Sequence, residues 1–310
     1  MKIVILGNTR LNYSWFCLTF RQGCKLLGHD VYDIDYKSTS INIIKQKLLD
    51  INPKYVFTHL SFHKNINPID KILQMYSEVK KRGINIIHTC SDARTEDRYM
   101  KDLSESVYMA FVGTFDMVNN CSKAWNIPTF YCPYSSLTYD KMAQPVKDLM
   151  FENPVFTGSP GSHDDRKNFI EKLQRKMKLE IFHTQSPGDL RSRTEELSSS
   201  AKCILGLCTG YDIDGYIDVR PFQYLGAGAF MIIRKFKGMD DIIPDDIYIP
   251  FNGYTDSDVD FVKEKFEYWK NQDTSEIRIR AFNYIQRNHS SKIRIKNIID
   301  VLEEKRDSVL

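Results

Sequence analysis

The chain reads as an α/β protein of two doubly wound, parallel-sheet domains, and three observations predict it. Short apolar strands alternate with amphipathic helices along nearly the whole sequence. The alternation comes in two series, separated at residues 134–153 by a stretch without period that holds Pro145 and the pair Asn153-Pro154. At 310 residues, 42% hydrophobic and 27% charged, the chain is long and apolar enough for two cores.

The first series begins with a buried strand at 2–6 that ends in Gly7-Asn8-Thr9-Arg10. Phe16, Phe20, Cys24 and Leu27 then follow at helical spacing until Gly28 stops the helix. The unit recurs as strand 31–35 with helix 41–49, strand 55–58 with helix 69–81, and strand 84–89 with a short helix near 94–103. Strands 107–112 and 128–131 enclose helix 116–125, which sets the first domain at 1–133 and the crossing at 134–153.

The second series opens with strand 155–156, closed by Gly158-Ser159-Pro160-Gly161, and a helix carrying Phe169, Ile170, Leu173 and Met177. Strand 179–183, a polar helix or loop at 189–201 and strand 203–207 come next. A polar Gly/Asp/Tyr loop leads into helix 220–225, strand 229–233 and a last strand at 247–250. Three helices close the chain. The first is lined by Val259, Val262, Phe266 and Trp269, the second covers 277–285, and the third is lined by Ile295, Ile298, Ile299 and Leu302. This sets the second domain at 154–310, and the reading is of two Rossmann-like domains facing a central cleft.

Composition excludes some classes. The longest apolar run, 225–233, is too short to span a bilayer, and 2–6 is too short for a signal-peptide core. Seven cysteines without a C-x-x-C pair suit reduced thiols better than disulfides or a zinc site, so the expected setting is cytoplasmic, without membrane insertion. A net charge of +3 does not by itself call for a polyanionic partner.

Parallel sheets receive ligands at the carboxyl ends of their strands, so the loops there carry the functional candidates. Arg220 opens a helix behind such a loop, where a guanidinium fork and helix-terminal N–H groups meet an anion. Arg166, near the start of the helix after Gly158 and Ser159, is a second phosphate candidate, with the two loop residues letting the backbone approach. Gly226 and Gly228 bracket the turn back into the sheet.

The segment VFTGSPGSHDDRKNFIEKL resembles the F-x-G-s … R … L opening of the donor domain in glycosyltransferases related to the spore-maturation protein CgeB. DVRPFQYLGAGAFMI is similar to their R-x-F-E-x-x-A-x-G-a-f signature, and 241–269 to its continuation. The resemblance covers the carboxyl-terminal half well and the first half in outline. It implies the GT-B fold, with a nucleotide sugar, expected to be a UDP-sugar, held mainly by the second domain and an acceptor received by the first. The family glutamate that binds the donor ribose is Gln223 here, an amide that still accepts and donates. The implied donor set is Gly158, Ser159, Arg166, His183, Asp212, Asp214, Tyr216, Asp218, Arg220, Gln223 and Tyr224, with the three aspartates assigned to sugar hydroxyls.

Catalysis at an inverting centre takes a base from a strand-end loop of the first domain, where Asp92 and His59 qualify; a retaining transfer needs none. Arg220 is the cation expected to stabilise the departing diphosphate. Asn8, Thr9, Arg10, His63 and Arg94 lie on the acceptor side. Two D-x-D spacings, Asp33/Asp35 and Asp212/Asp214, match a metal motif of another transferase class, but two complete domains do not suit that plan, and no divalent metal or other cofactor is expected. The acceptor stays open between protein, glycan, small molecule and modified DNA base. Arg10, Arg21, Lys25, Lys64, Arg94, Arg98 and Lys101 give the last some basic material. A nucleotide-sugar epimerase and a non-catalytic two-domain binding protein are the competing readings.

Overall fold

The structure is a computed structural model that describes residues 1–7, 15–59, 69–90, 104–144, 150–183, 190–208 and 212–307. The chain divides into two compact units, Met1–Tyr134 with Ser291–Leu310, and Ser135–Ser290.

In the first unit β1 (Lys2–Gly7), β2 (Asp30–Asp35), β3 (Tyr55–His59), β4 (Asn85–Cys90), β5 (Met109–Val112) and β6 (Thr129–Tyr131) form a parallel sheet in the order β2-β1-β3-β4-β5-β6. Its helices are α1 (Trp15–Leu26), α2 (Ile41–Ile51), α3 (Ile69–Lys80) and α4 (Phe115–Trp125). Alternate strand residues serve opposite faces. Ile3, Ile5, Tyr55 and Phe57 pack with Phe16, Phe20 and Cys24 of α1, while Val4, Leu6 and Val56 pack with Ile44, Leu48, Ile72 and Tyr76 of α2 and α3. Both faces are covered, which is why these strands read as unbroken apolar runs. Thr114 caps α4 by accepting from the Met117 N–H at 3.2 Å, and Asn126 ends that helix in the left-handed region at φ 54°.

The second unit repeats the plan. Its strands β7 (Val155–Thr157), β8 (Glu180–Phe182), β9 (Ile204–Gly206), β10 (Met231–Arg234) and β11 (Ile249–Phe251) are parallel in the order β11-β10-β9-β7-β8. The helices are α5 (Asp164–Lys176), α6 (Leu190–Ser200), α7 (Val219–Leu225), α8 (Asp256–Trp269) and α9 (Ser275–His289). The polar stretch at 189–201, open between helix and loop in the sequence, forms α6. Its buried residues are Thr194, Leu197, Ser198, Ser199 and Ser200, so small polar residues pack where an apolar period would have announced the helix. Thr255 and Asp258 form a reciprocal capping box at the start of α8.

Counted in chain order, both sheets run second, first, third, fourth, fifth, with a sixth strand added in the first, so the winding reverses between β1 and β3 and again between β7 and β9. Those two reversals open the crevices where such sheets take ligands.

Two segments lie elsewhere than the sequence suggested. Residues 135–144 belong to the second unit: Gln286 donates to the Leu137 and Gly226 carbonyls at 2.9 and 2.8 Å and accepts from the Tyr139 N–H at 3.0 Å. The last helix, α10 (Ser291–Asp307), counted with the second half in the sequence, packs on α1 in the first unit. Gly23 lets it come close, since a Cβ there would collide with the Ser291 carbonyl and Ile295. Glu303 of α10 accepts from Lys54 at 2.7 and 2.8 Å and from the Tyr55 hydroxyl at 2.7 Å.

Candidate functional site

The crevice between β7 and β9 is built from cations. Arg220, in the first turn of α7, donates from Nε to the Thr157 carbonyl at 2.6 Å and pairs through a terminal nitrogen with Asp218. Its other terminal nitrogen lies against Gly158, where a Cβ would come within 2.5 Å of it. Gly158 holds φ 142° and donates its N–H to the Phe182 carbonyl at 2.9 Å. Its N–H is thereby spent on the sheet, and what the missing side chain provides is room for Arg220. Ser159 contributes its carbonyl, which accepts from Arg166 at 2.8 Å; a second Arg166 nitrogen reaches the Leu207 carbonyl at 3.5 Å.

Arg166 and Arg220 both lie over the Phe156 ring, at 5.7 and 5.8 Å from its centroid. A third arginine, Arg234, ends β10, lies 3.7 Å over the Tyr254 ring and is 3.6 Å from Asp165. Tyr254 in turn donates to the Cys208 carbonyl at 2.9 Å. All three guanidiniums act on the Cys208 thiol, yet burial and Asp218 outweigh them and push it up to about 12. A pKa raised that far keeps the thiol protonated at neutral pH.

The electrostatics fit an anion site. Burial, and then the neighbouring Arg220, lower the Arg166 pKa. Burial also works against the Arg220 charge, but Asp218, followed by Cys208, Tyr224 and Tyr216, more than offsets it and raises that pKa. Tyr224, buried beside these groups and hydrogen-bonded to Thr157, has its phenol pushed up mainly by burial.

The site thus brings together Gly158, Ser159, Arg166, Tyr216, Asp218, Arg220 and Tyr224 from the expected donor set. Gln223 is buried and donates to the Thr194 hydroxyl of α6. Asp214 pairs with Lys237 at 3.3 Å and abuts Gly238, while Asp212 and His183 are exposed. The His183 carbonyl accepts from Arg193 at 3.4 Å. In the other D-x-D, Asp33 pairs with Arg21 at 2.7 Å and Asp35 accepts from the Lys37 N–H and the Ser38 hydroxyl, which is turn chemistry. His59 ends β3, and Asn8, Thr9, Arg10, His63, Asp92 and Arg94 lie outside the described residues, as do Lys64, Arg98 and Lys101. Among the described residues no group of three or more His, Cys, Asp or Glu is arranged to hold a metal, and no helix is long and apolar enough to cross a membrane.

Arg234 and Tyr254 were missed in the sequence. The available signal was the arginine ending the apolar strand AFMIIR, because a charge at the carboxyl end of a buried parallel strand points into the ligand crevice.

No family model matches the chain, and no curated protein does. Solved structures do. A glycosyltransferase from Rickettsia africae aligns with a TM-score of 0.64 at 10% identity over 98% of both chains. Sucrose-phosphate synthase from Thermosynechococcus elongatus aligns at 0.64 and 9% identity, over 99% of this chain and 100% of the other. HepE of Anabaena, solved with UDP and glucose, aligns at 0.60 and 9% identity, over 98% and 100%. With two parallel α/β units and these neighbours, the chain has the fold of the GT-B glycosyltransferases.

Proposed function

We propose that this protein is a GT-B glycosyltransferase that takes a sugar from a nucleoside-diphosphate sugar, a UDP-sugar, and passes it to a hydroxyl or amine acceptor. The observation that carries the reading is the cluster of Arg166, Arg220 and Arg234 at the strand ends beside the β7–β9 reversal. Buried guanidiniums near one another are costly unless an anion joins them, and a diphosphate leaving group supplies one. As the glycosidic bond to the diphosphate breaks, negative charge grows on the leaving oxygens, and fixed cations there stabilise the transition state more than the ground state. The arginines fill the role a divalent ion has in metal-dependent transferases, so the proposed reaction needs none.

The second unit is the proposed donor-binding half and the first the acceptor-binding half, with Asp92 or His59 as the base if the transfer inverts. The CgeB-like resemblance of DVRPFQYLGAGAFMI supports the same assignment of the donor half. HepE, which shares the fold, was solved with UDP and glucose. Thermal stabilisation across a panel of nucleotide sugars tests the reading. A UDP-sugar is expected to raise the melting temperature, and no response to any nucleotide sugar would sink it. Product analysis with the stabilising donor separates transfer from epimerisation, since only transfer releases free UDP.

A further inference from the structure

Asp218 is placed where a phosphate oxygen is wanted. Its carboxylate stands at the cap position of α7, yet it makes no capping hydrogen bond to that helix. It turns instead to the Arg220 terminal nitrogen, and both side chains are largely buried, at 14% and 15% exposure. The remaining faces of Arg220 are fixed by the Thr157 carbonyl and by Gly158. A ligand that takes this guanidinium in a fork must therefore meet Asp218 first. Among the described residues the rest of the cluster has one further carboxylate paired with it, Asp165, which is 44% exposed beside Arg234. Among the described residues, three guanidiniums against two carboxylates leave the cluster with a small positive excess, and that excess depends on Asp218.

Resting on the donor-site reading above, we infer that Asp218 is a specificity-determining residue that screens Arg220 and sets how the site ranks a nucleotide sugar against the free nucleoside diphosphate. The product carries about one more negative charge than the donor, because a terminal phosphate loses its second proton near pH 6 while a sugar ester has none to lose. An unscreened arginine cluster holds the more highly charged product more tightly, which slows turnover. A buried carboxylate inside the cluster repels the product more than the donor, and it returns to Arg220 as the product leaves. The capping role Asp218 forgoes is the trace of this arrangement: an aspartate kept only for the helix would bond the backbone N–H groups of α7.

The experiment is a calorimetric titration of wild type, Asp218→Asn and Asp218→Ser with UDP, UDP-glucose and pyrophosphate, at low and at physiological salt. Asp218→Asn keeps the shape and removes the charge. It is expected to tighten UDP by about tenfold and UDP-glucose by about threefold, widening the ratio in favour of product, with a larger effect at low salt. Asp218→Ser shifts the ratio the same way, and a merely structural role for Asp218 moves both ligands together. An unchanged ratio in a folded variant, or a loss of UDP binding, overturns the inference and leaves the donor site standing. Failure of all three probes to bind wild type overturns both.

Discussion

The two units share one strand order and differ in what they place at its reversal. In the second unit the β7–β9 crevice is lined by Arg166 and Arg220 on the Phe156 ring, with Arg234 on Tyr254 beside them. In the first, Gly7 and Cys90 close β1 and β4, and Asp35 closes β2 in a turn with Lys37 and Ser38. At the other end of its sheet the first unit has a half-buried ion pair, where Lys54 and Tyr55 meet Glu303 at the amino end of β3. Among the described residues, then, the shared topology carries an arginine cluster at the reversal of the second unit.

Removing Arg220 breaks that difference most directly. Arg220→Ala should weaken UDP binding by about 1.5–3 kcal/mol, the worth of hydrogen bonds to a charged group, as read by calorimetry on the folded variant. Gly158→Ala comes next. The new methyl meets the Arg220 guanidinium and adopts φ 142°, so the second unit should lose about 1–3 kcal/mol of stability and the variant should bind UDP more weakly. A melting experiment with and without UDP separates the two effects; an unshifted melt with normal binding would show that Gly158 gives Arg220 no needed room.

Alkaline pH tests a property the units have in common. Burial, helped by Asp33, pushes the Cys24 thiol in the first unit up to about 12, and Cys208 in the second is likewise raised to about 12. Unfolded, both ionise near 9.0, so above that pH the unfolded chain binds fewer protons than the native one and stability falls as pH rises. The slope for each thiol grows through pH 9 toward a limit of about 1.4 kcal/mol per pH unit, and denaturant titrations between pH 8 and 10.5 measure it. A stability that stays level across that range would place these thiols in contact with water.

The smallest expected effect sharpens the donor assignment. Gln223→Ala removes the partner of Thr194 and, on the proposed reading, a ribose contact, so donor affinity should drop by about 0.5–1.5 kcal/mol while Gln223→Glu retains or improves it. If neither change moves donor affinity, α7 aims Gln223 at α6 alone.

Much of this was legible in the sequence because burial on both sheet faces writes continuous apolar strands, and amphipathic helices write a 3.6-residue period. The α6 helix was not, since Ser198, Ser199 and Ser200 are among its buried residues. The place of Arg166, Arg220 and Gly158 beside strand-end loops was legible, but the contacts Gly158 makes there were not. Its N–H looked free for phosphate, and only the long-range pairing of β7 with β8 shows that the Phe182 carbonyl takes it. Arg234 was hidden because a terminal strand arginine looks like any surface cation until the neighbouring strand and Tyr254 are in place. The home of α10 was equally unreadable, because an amphipathic helix does not name the surface that covers it.

That last helix has a consequence for the order in which the protein is made. The second unit, 135–290, is one uninterrupted length of chain, whereas the first is closed only when 291–310 returns to it. During synthesis the ribosome therefore releases everything the second unit needs before it releases the helix that covers Ile3, Ile5 and Phe57 on one face of the first sheet. The amino-terminal half, although made first, has that face covered by α1 alone until α10 has emerged.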